Sequence, residues 1–205
     1  MAQAAARTNH PIDPPLAAKA KVLLESPYFV VDDGGAGIAE KQLIFYVLAG
    51  VKPAAEVGSF HMEELSPGYL ESRPDNQEAV ATLLGGLGLS YSFRQPYDGI
   101  ATVSLHKQAL RDRENINQLA DEAEIYRAYG RLYGYPQSAV DAFVAEYVHG
   151  RSELMTVEEQ TEIEQRSGLP KTAFLFRFSK AHWADALETV RRWHSTLVPY
   201  DDMNG

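Results

Sequence analysis

INQLADEAEIYRAYGRLYGYPQSAVDAFVAEYV, residues 116–148, reads as a long amphipathic helix, a Gly134-Tyr135-Pro136 break and a second amphipathic helix. Ile116, Leu119, Ala123, Tyr126, Gly130 and Tyr133 recur at steps of three and four, which predicts one continuous apolar stripe running into the break. Gly134 supplies the freedom to turn, and Pro136 suits the first turn of the next helix, where a missing N–H costs nothing. Val140, Phe143, Val144, Tyr147 and Val148 then form the second apolar face, which Gly150 ends. Four of the eleven tyrosines (Tyr126, Tyr129, Tyr133 and Tyr135) crowd this junction. Tyrosine has an apolar body and a polar tip, so the cluster suits packing between two helices, a protein interface or ligand stacking.

On the N-terminal side, residues 90–95 and 100–105 alternate polar and apolar residues about Pro96-Tyr97-Asp98-Gly99, which predicts a β-hairpin at about 89–105. A helix precedes it, capped by Asp75 with Glu78 and faced by Val80, Leu83, Leu84 and Leu87. Residues 51–75 are broken by Pro53, Gly58, Pro67, Gly68 and Pro74, leaving room for one short strand at most, at 54–60. Helical spacing fits 38–50, and Pro14-Pro15 opens a shorter helix through about Glu25. Tyr28-Phe29-Val30-Val31 reads as a buried strand. Residues 1–15 and 200–205 read as polar tails flanking one α+β domain at 16–199.

Toward the C-terminus, Thr156 and Glu159 form a capping box for a polar helix that Gly168 closes. Residues 172–178 predict a strand, with Phe174, Phe176 and Phe178 on one face. Ser179 is then the expected cap of a last helix faced by Trp183, Leu187, Val190, His194 and Leu197. About four strands against six or seven helices predict a helix-rich α+β fold with a small mixed or antiparallel sheet.

Composition bounds the chemistry. The 205 residues carry a formal charge of −9 and no cysteine. Acidity disfavours a broad phosphate-neutralising surface, leaving an RNA- or ribosome-associated role only to a local patch among Arg94, Arg111, Arg113, Arg127 and Arg131. Lack of cysteine removes disulfides, thiolate metal sites and cysteine nucleophiles. Neither a secretory signal nor a membrane-length apolar run is visible, and the expected location is cytoplasmic.

Asp32-Asp33-Gly34-Gly35-Ala36-Gly37, between a predicted strand and a predicted helix, is the candidate ligand site. Backbone N–H groups at a helix start attract anions, and the two aspartates would then need a divalent cation between them and a phosphate. The same residues equally suit a strand-ending turn, since neither the dinucleotide fingerprint nor the P-loop lysine is present. The six histidines do not pair at ligand spacing, and His61 with Glu63 and Glu64 falls in the broken stretch. No nucleophile elbow occurs.

Gly130, Leu132, Gly134, Tyr135, Pro136, Val140 and Phe143 resemble the G-x-L-x-G-Y-P-x-C-C-V-x-x-F signature of an archaeal family of unknown function, over about residues 76–148. Ser138 and Ala139 stand where that signature has cysteines, so no thiol role carries over. The resemblance implies an archaeal-like intracellular protein whose helix–turn–helix junction is a defining element. Together these readings predict a non-enzymatic interaction or regulatory protein working through a protein partner or as a homo-oligomer. The alternative is a small enzyme or sensor that binds a phosphorylated ligand with a divalent cation.

Overall fold

The computed structural model describes residues 13–28, 36–58, 62–66, 69–72, 77–96, 99–170 and 173–200. Among them are eight helices and five short strands, a helix-rich α+β arrangement. The central sheet has three antiparallel strands in the order β1 (Ala54–Gly58), β5 (Ile100–Ser104), β4 (Ser90–Phe93). β4 and β5 are the predicted hairpin. A separate two-stranded ribbon pairs β2 (Met62–Ser66) with β3 (Tyr69–Ser72). Residues 51–75 therefore hold three strands rather than one, because the breakers Pro67 and Gly68 fall between strands in the sequence instead of preventing them.

Period-two alternation gives the central sheet two different faces. Ala55 and Val57 of β1 align with Val103 and Ala101 of β5, and Tyr91 and Phe93 of β4 complete that apolar side. It packs in the main core with Leu23 of α1 (Pro14–Glu25) and with Ile44, Phe45, Tyr46 and Val47 of α2 (Ala36–Leu48). Lys41 joins the two helices, its ammonium donating to the Leu24 and Ser26 carbonyls at 2.9 and 3.0 Å. α3 (Gln77–Gly86) adds Val80 and Leu84. The opposite side of the sheet carries a polar row, Glu56, Thr102 and Ser92, in lateral register.

Of the strand expected directly after α1, Tyr28 lies in a bend, with its N–H donating to Ser26 Oγ at 3.1 Å. Phe29, Val30 and Val31 fall outside the described residues, as does the expected helix cap Asp75.

Beside the polar side of the sheet lie α4 (Lys107–Ile116) and α5 (Glu122–Leu132). The helix predicted from Ile116 onward therefore begins only at Glu122, and Ile116 is instead the last residue of α4, a helix not predicted. α4 ends in turn bonds from Gln118 and Leu119 to the Asn115 and Ile116 carbonyls, and Asp121 restarts the chain by accepting the Glu124 N–H at 2.8 Å. An aspartate cap recovers an otherwise unpaired helix N–H, and it outweighs the apolar spacing that spans the break. Ile116 packs with Ala54, Ala109 and Leu132, while Leu119 is exposed.

α6 (Gln137–Tyr147) follows the Gly134 turn, and α7 (Val157–Ser167) carries the complete Thr156–Glu159 capping box with Gly168 left-handed at its end. Residues 173–178 join no ladder, contrary to the predicted strand; the nearby pairing is a single bridge between Leu154 and Ser179. The amide of Gln160, on α7, takes the place of a neighbouring strand. Its Nε2 donates to the Phe176 carbonyl at 3.2 Å and its Oε1 accepts the Phe178 N–H at 3.0 Å. The last helix, α8 (Trp183–Ser195), starts later than predicted, with His182 rather than Ser179 at its N-cap. Trp183 is exposed, and Trp193 supplies the buried indole of that helix. No helix among the described residues is long and apolar enough to cross a membrane.

Candidate functional site

The junction builds a groove because a glycine lets two helices meet. Gly130 of α5 faces Val140 of α6 so closely that a Cβ on it would lie 2.3 Å from Val140 Cγ2. Gly134, at φ +70°, reverses the chain, and the Tyr135 N–H returns to the Gly130 carbonyl at 2.9 Å. Positive φ at this position is what a residue without a side chain tolerates. Tyr126, Tyr129 and Tyr133 then line one side of α5 with Tyr135 in the turn, and all four reach a groove of about 310 Å³.

Its walls are aromatic. Tyr126 meets Phe143 edge-on at 5.0 Å, and Phe143 stacks on Tyr147 at 4.4 Å. Leu175, Phe176 and Arg177 form the third side. The Arg177 guanidinium is held by Glu146 at 3.5 Å and donates to the Met155 carbonyl. An apolar cavity with one tethered cation at its edge is suited to an apolar or aromatic group, not to a strongly hydrated one.

Tyr129 and Tyr133 stack nearly parallel, 5.7 Å between centroids, and separate this groove from a polar cleft of about 700 Å³. Glu56 is the hub of the cleft, accepting from the Tyr133 hydroxyl at 3.3 Å and lying 3.7 Å from Arg113. The Tyr129 hydroxyl donates to Asn117 Oδ1 at 2.5 Å. Burial, with the Glu56 charge beside it, pushes the Tyr133 phenol well above its ordinary range, so it stays protonated. Arg94 and Arg113 reach this cleft, while Arg127 turns to Asp141 and Arg111 to Gln108.

Behind Tyr135 lies a buried cation. Lys52 is 1% exposed, with its ammonium 4.3 Å from the Tyr135 ring and 4.0 Å from the Trp193 ring, and Nζ has no hydrogen-bond partner among the described residues. Loss of water pulls its pKa from 10.5 down to about 7. Glu40 is pushed the other way, from 4.5 to about 7, chiefly by burial and further by the Glu56 charge, although its carboxylate accepts the Gly58 N–H at 3.1 Å. Both groups can exchange a proton near neutrality.

Asp32, Asp33, Gly34 and Gly35 lie outside the described residues, as does His61; Gly37 falls within the first turn of α2. Glu63 and Glu64 sit on β2, opposite Glu71 and Leu70. Among the described residues no three histidine or carboxylate groups gather as metal ligands. His194 is half-buried, with Nδ1 unpartnered among the described residues and its pKa lowered by burial. The tyrosines were visible from their spacing; Lys52, Glu40 and the third wall at 175–177 were not. Glu56 left one clue, as the single charge within the apolar run 54–57.

Comparison with known proteins gives no match, whether to a family model, a curated protein or a solved structure.

Proposed function

We propose that this protein works by protein contact through the tyrosine groove, and that the contact is made by a second copy of the chain. One observation carries the reading: Tyr147 is 58% exposed, although its ring stacks on Phe143 at the lip of an open aromatic groove. A groove beside an exposed aromatic can supply both halves of a two-fold contact. Under two-fold symmetry each copy lends its Tyr147 region to the groove of the other, the same patch serving both sides. Tyrosine anchors seated in apolar pockets are frequent energetic centres of interfaces. The half-buried Tyr126 and Tyr129 would complete the seat.

Sedimentation equilibrium across a concentration series tests this. Wild type is expected to self-associate, and Tyr147→Ser to weaken association by about tenfold or more, the loss of one anchor of roughly 1.4 kcal/mol or above. Its melting temperature, extrapolated to monomer, should barely move because that ring is largely in water. A monomer at every concentration, or association indifferent to Tyr147→Ser, overturns the reading.

A further inference from the structure

We propose that the polar cleft on the other side of the Tyr129–Tyr133 wall binds a small zwitterion bearing an aromatic ring, of amino-acid or dipeptide size. This site goes beyond the groove and does not depend on self-association.

Sheet register is the starting point. Glu56, Thr102 and Ser92 stand side by side on three adjacent strands, on the side of the sheet away from the main core. Thr102 is buried, Ser92 half-buried and Glu56 exposed, so this polar row runs from beneath the helices out to solvent. Glu56 and Ser92 open into the cleft, whose volume of about 700 Å³ is in the range of small-molecule sites.

Charge selects the ligand. Arg94 and Arg113 reach the cleft, and so do Glu56 and Glu114. A simple anion would approach two carboxylates, and a simple cation two guanidinium groups. A molecule carrying both signs meets a partner for each.

The resident contacts leave room for it. Charge-assisted hydrogen bonds close to about 2.7–2.9 Å. Glu56 instead sits 3.7 Å from Arg113 and 3.3 Å from the Tyr133 hydroxyl. Arg113 lines the cleft, and its terminal nitrogen, not the buried Nε, faces Glu56. The pair is opposite in charge but not clamped, so a ligand ammonium can take Glu56 while its carboxylate takes Arg113. Each resident charge thereby exchanges one partner for another of the same sign. The stacked Tyr129 and Tyr133 rings, which both line the cleft, offer the surface for an aromatic side chain.

Calorimetric titration with three probes decides the matter: L-phenylalanine, 3-phenylpropionate, which lacks the ammonium, and phenethylamine, which lacks the carboxylate. L-Phenylalanine is expected to bind, and each singly charged analogue to bind at least about tenfold more weakly. Arg113→Met should abolish the advantage conferred by the carboxylate, and Glu56→Gln that conferred by the ammonium. Glu114→Gln changes an exposed side chain, so it preserves folding and should still weaken the zwitterion relative to 3-phenylpropionate. Equal affinity for the three probes, no binding by any of them, or zwitterion affinity unchanged in correctly folded variants overturns the proposal.

Discussion

Gly130 and Val140 occupy space that a single methyl group would contest: a Cβ built on Gly130 lies 2.3 Å from Val140 Cγ2 and 2.8 Å from Val140 Cγ1. Two effects of Gly130→Ala therefore oppose each other. Alanine is worth roughly 0.5–1 kcal/mol over glycine inside a helix, whereas overpacking typically costs about 1–3 kcal/mol. The contact is against a branched side chain held between helices, so the clash should win and the urea midpoint should fall. Combining Gly130→Ala with Val140→Ala should cost less than the two single changes added together, because the second removes the atoms the first strikes. Strict additivity would mean that α5 and α6 do not approach at this point.

The two glycines Gly134 and Gly168 provide a controlled comparison. Their φ values are +70° and +72°, so alanine meets the same left-handed penalty at both, about 1–2 kcal/mol. Around Gly168 a Cβ meets nothing within 4 Å, but at Gly134 it would lie 2.9 Å from Pro53 Cδ. Gly134→Ala is expected to lower the urea midpoint clearly more than Gly168→Ala. Equal losses would show that Pro53 yields freely.

Gln160 should behave as a structural residue despite lying on a polar helix. Gln160→Leu leaves the Phe178 N–H without its acceptor and the Phe176 carbonyl without its donor, at about 1–3 kcal/mol for each group that stays dry. Gln160→Glu keeps an acceptor for Phe178 but sets a carboxylate oxygen against the Phe176 carbonyl and the Glu164 carboxylate, to which Nε2 also donates at 3.1 Å, so at neutral pH it should be at least as destabilising as the leucine variant. Hydrogen exchange at the Phe178 amide provides a second readout, rising in the leucine variant. A leucine variant as stable as wild type would remove the bridge as the reason for the 173–178 conformation.

Several local signals were legible in this chain where the deciding interaction lies within a few residues. The Thr156–Glu159 box, the Gly134 turn and the hairpin about residues 96–99 all depend on neighbours, and each appears where its residues predict it. Two expectations failed where a distant or competing contact decides, and a third although the deciding pairing is local. Asp121 caps a new helix inside a stripe that periodicity alone would continue. Phe174, Phe176 and Phe178 have strand-like alternation, yet a glutamine side chain from another helix bonds to the backbone of Phe176 and Phe178. Residues 62–66 and 69–72 form a ribbon, with Pro67 and Gly68 between its two strands in the sequence. Of the candidate sites, the four tyrosines could be placed together by helical spacing, whereas Lys52 reaches Trp193 across 141 positions (193 − 52), which no local pattern encodes.

Lys52 and Glu40 should together give the protein a stability minimum near neutral pH. In the unfolded chain Lys52 holds its proton up to about 10.5, while burial lowers the folded value to about 7. Across that interval the unfolded state binds more protons, so stability rises with pH, by no more than about 1.4 kcal/mol per pH unit. Below about 7 the amine is charged in both states and contributes no slope. Glu40 has the opposite sign: its folded pKa is raised from 4.5 to about 7, so the folded state holds the extra proton between those values and stability falls as pH rises through them. The Tyr135 and Trp193 rings partly replace the water that Lys52 has lost, by roughly 1–2 kcal/mol, and so reduce the height of the alkaline limb without changing its direction. Urea midpoints measured from about pH 5 to about pH 10 should trace both limbs. Lys52→Met, which fills similar space without a charge, should raise stability at neutral pH and flatten the alkaline limb, and Glu40→Gln should flatten the acid limb. A wild-type profile with no dip near neutrality, or a dip that survives both substitutions, would mean that these two groups are not held in the dry interior as described.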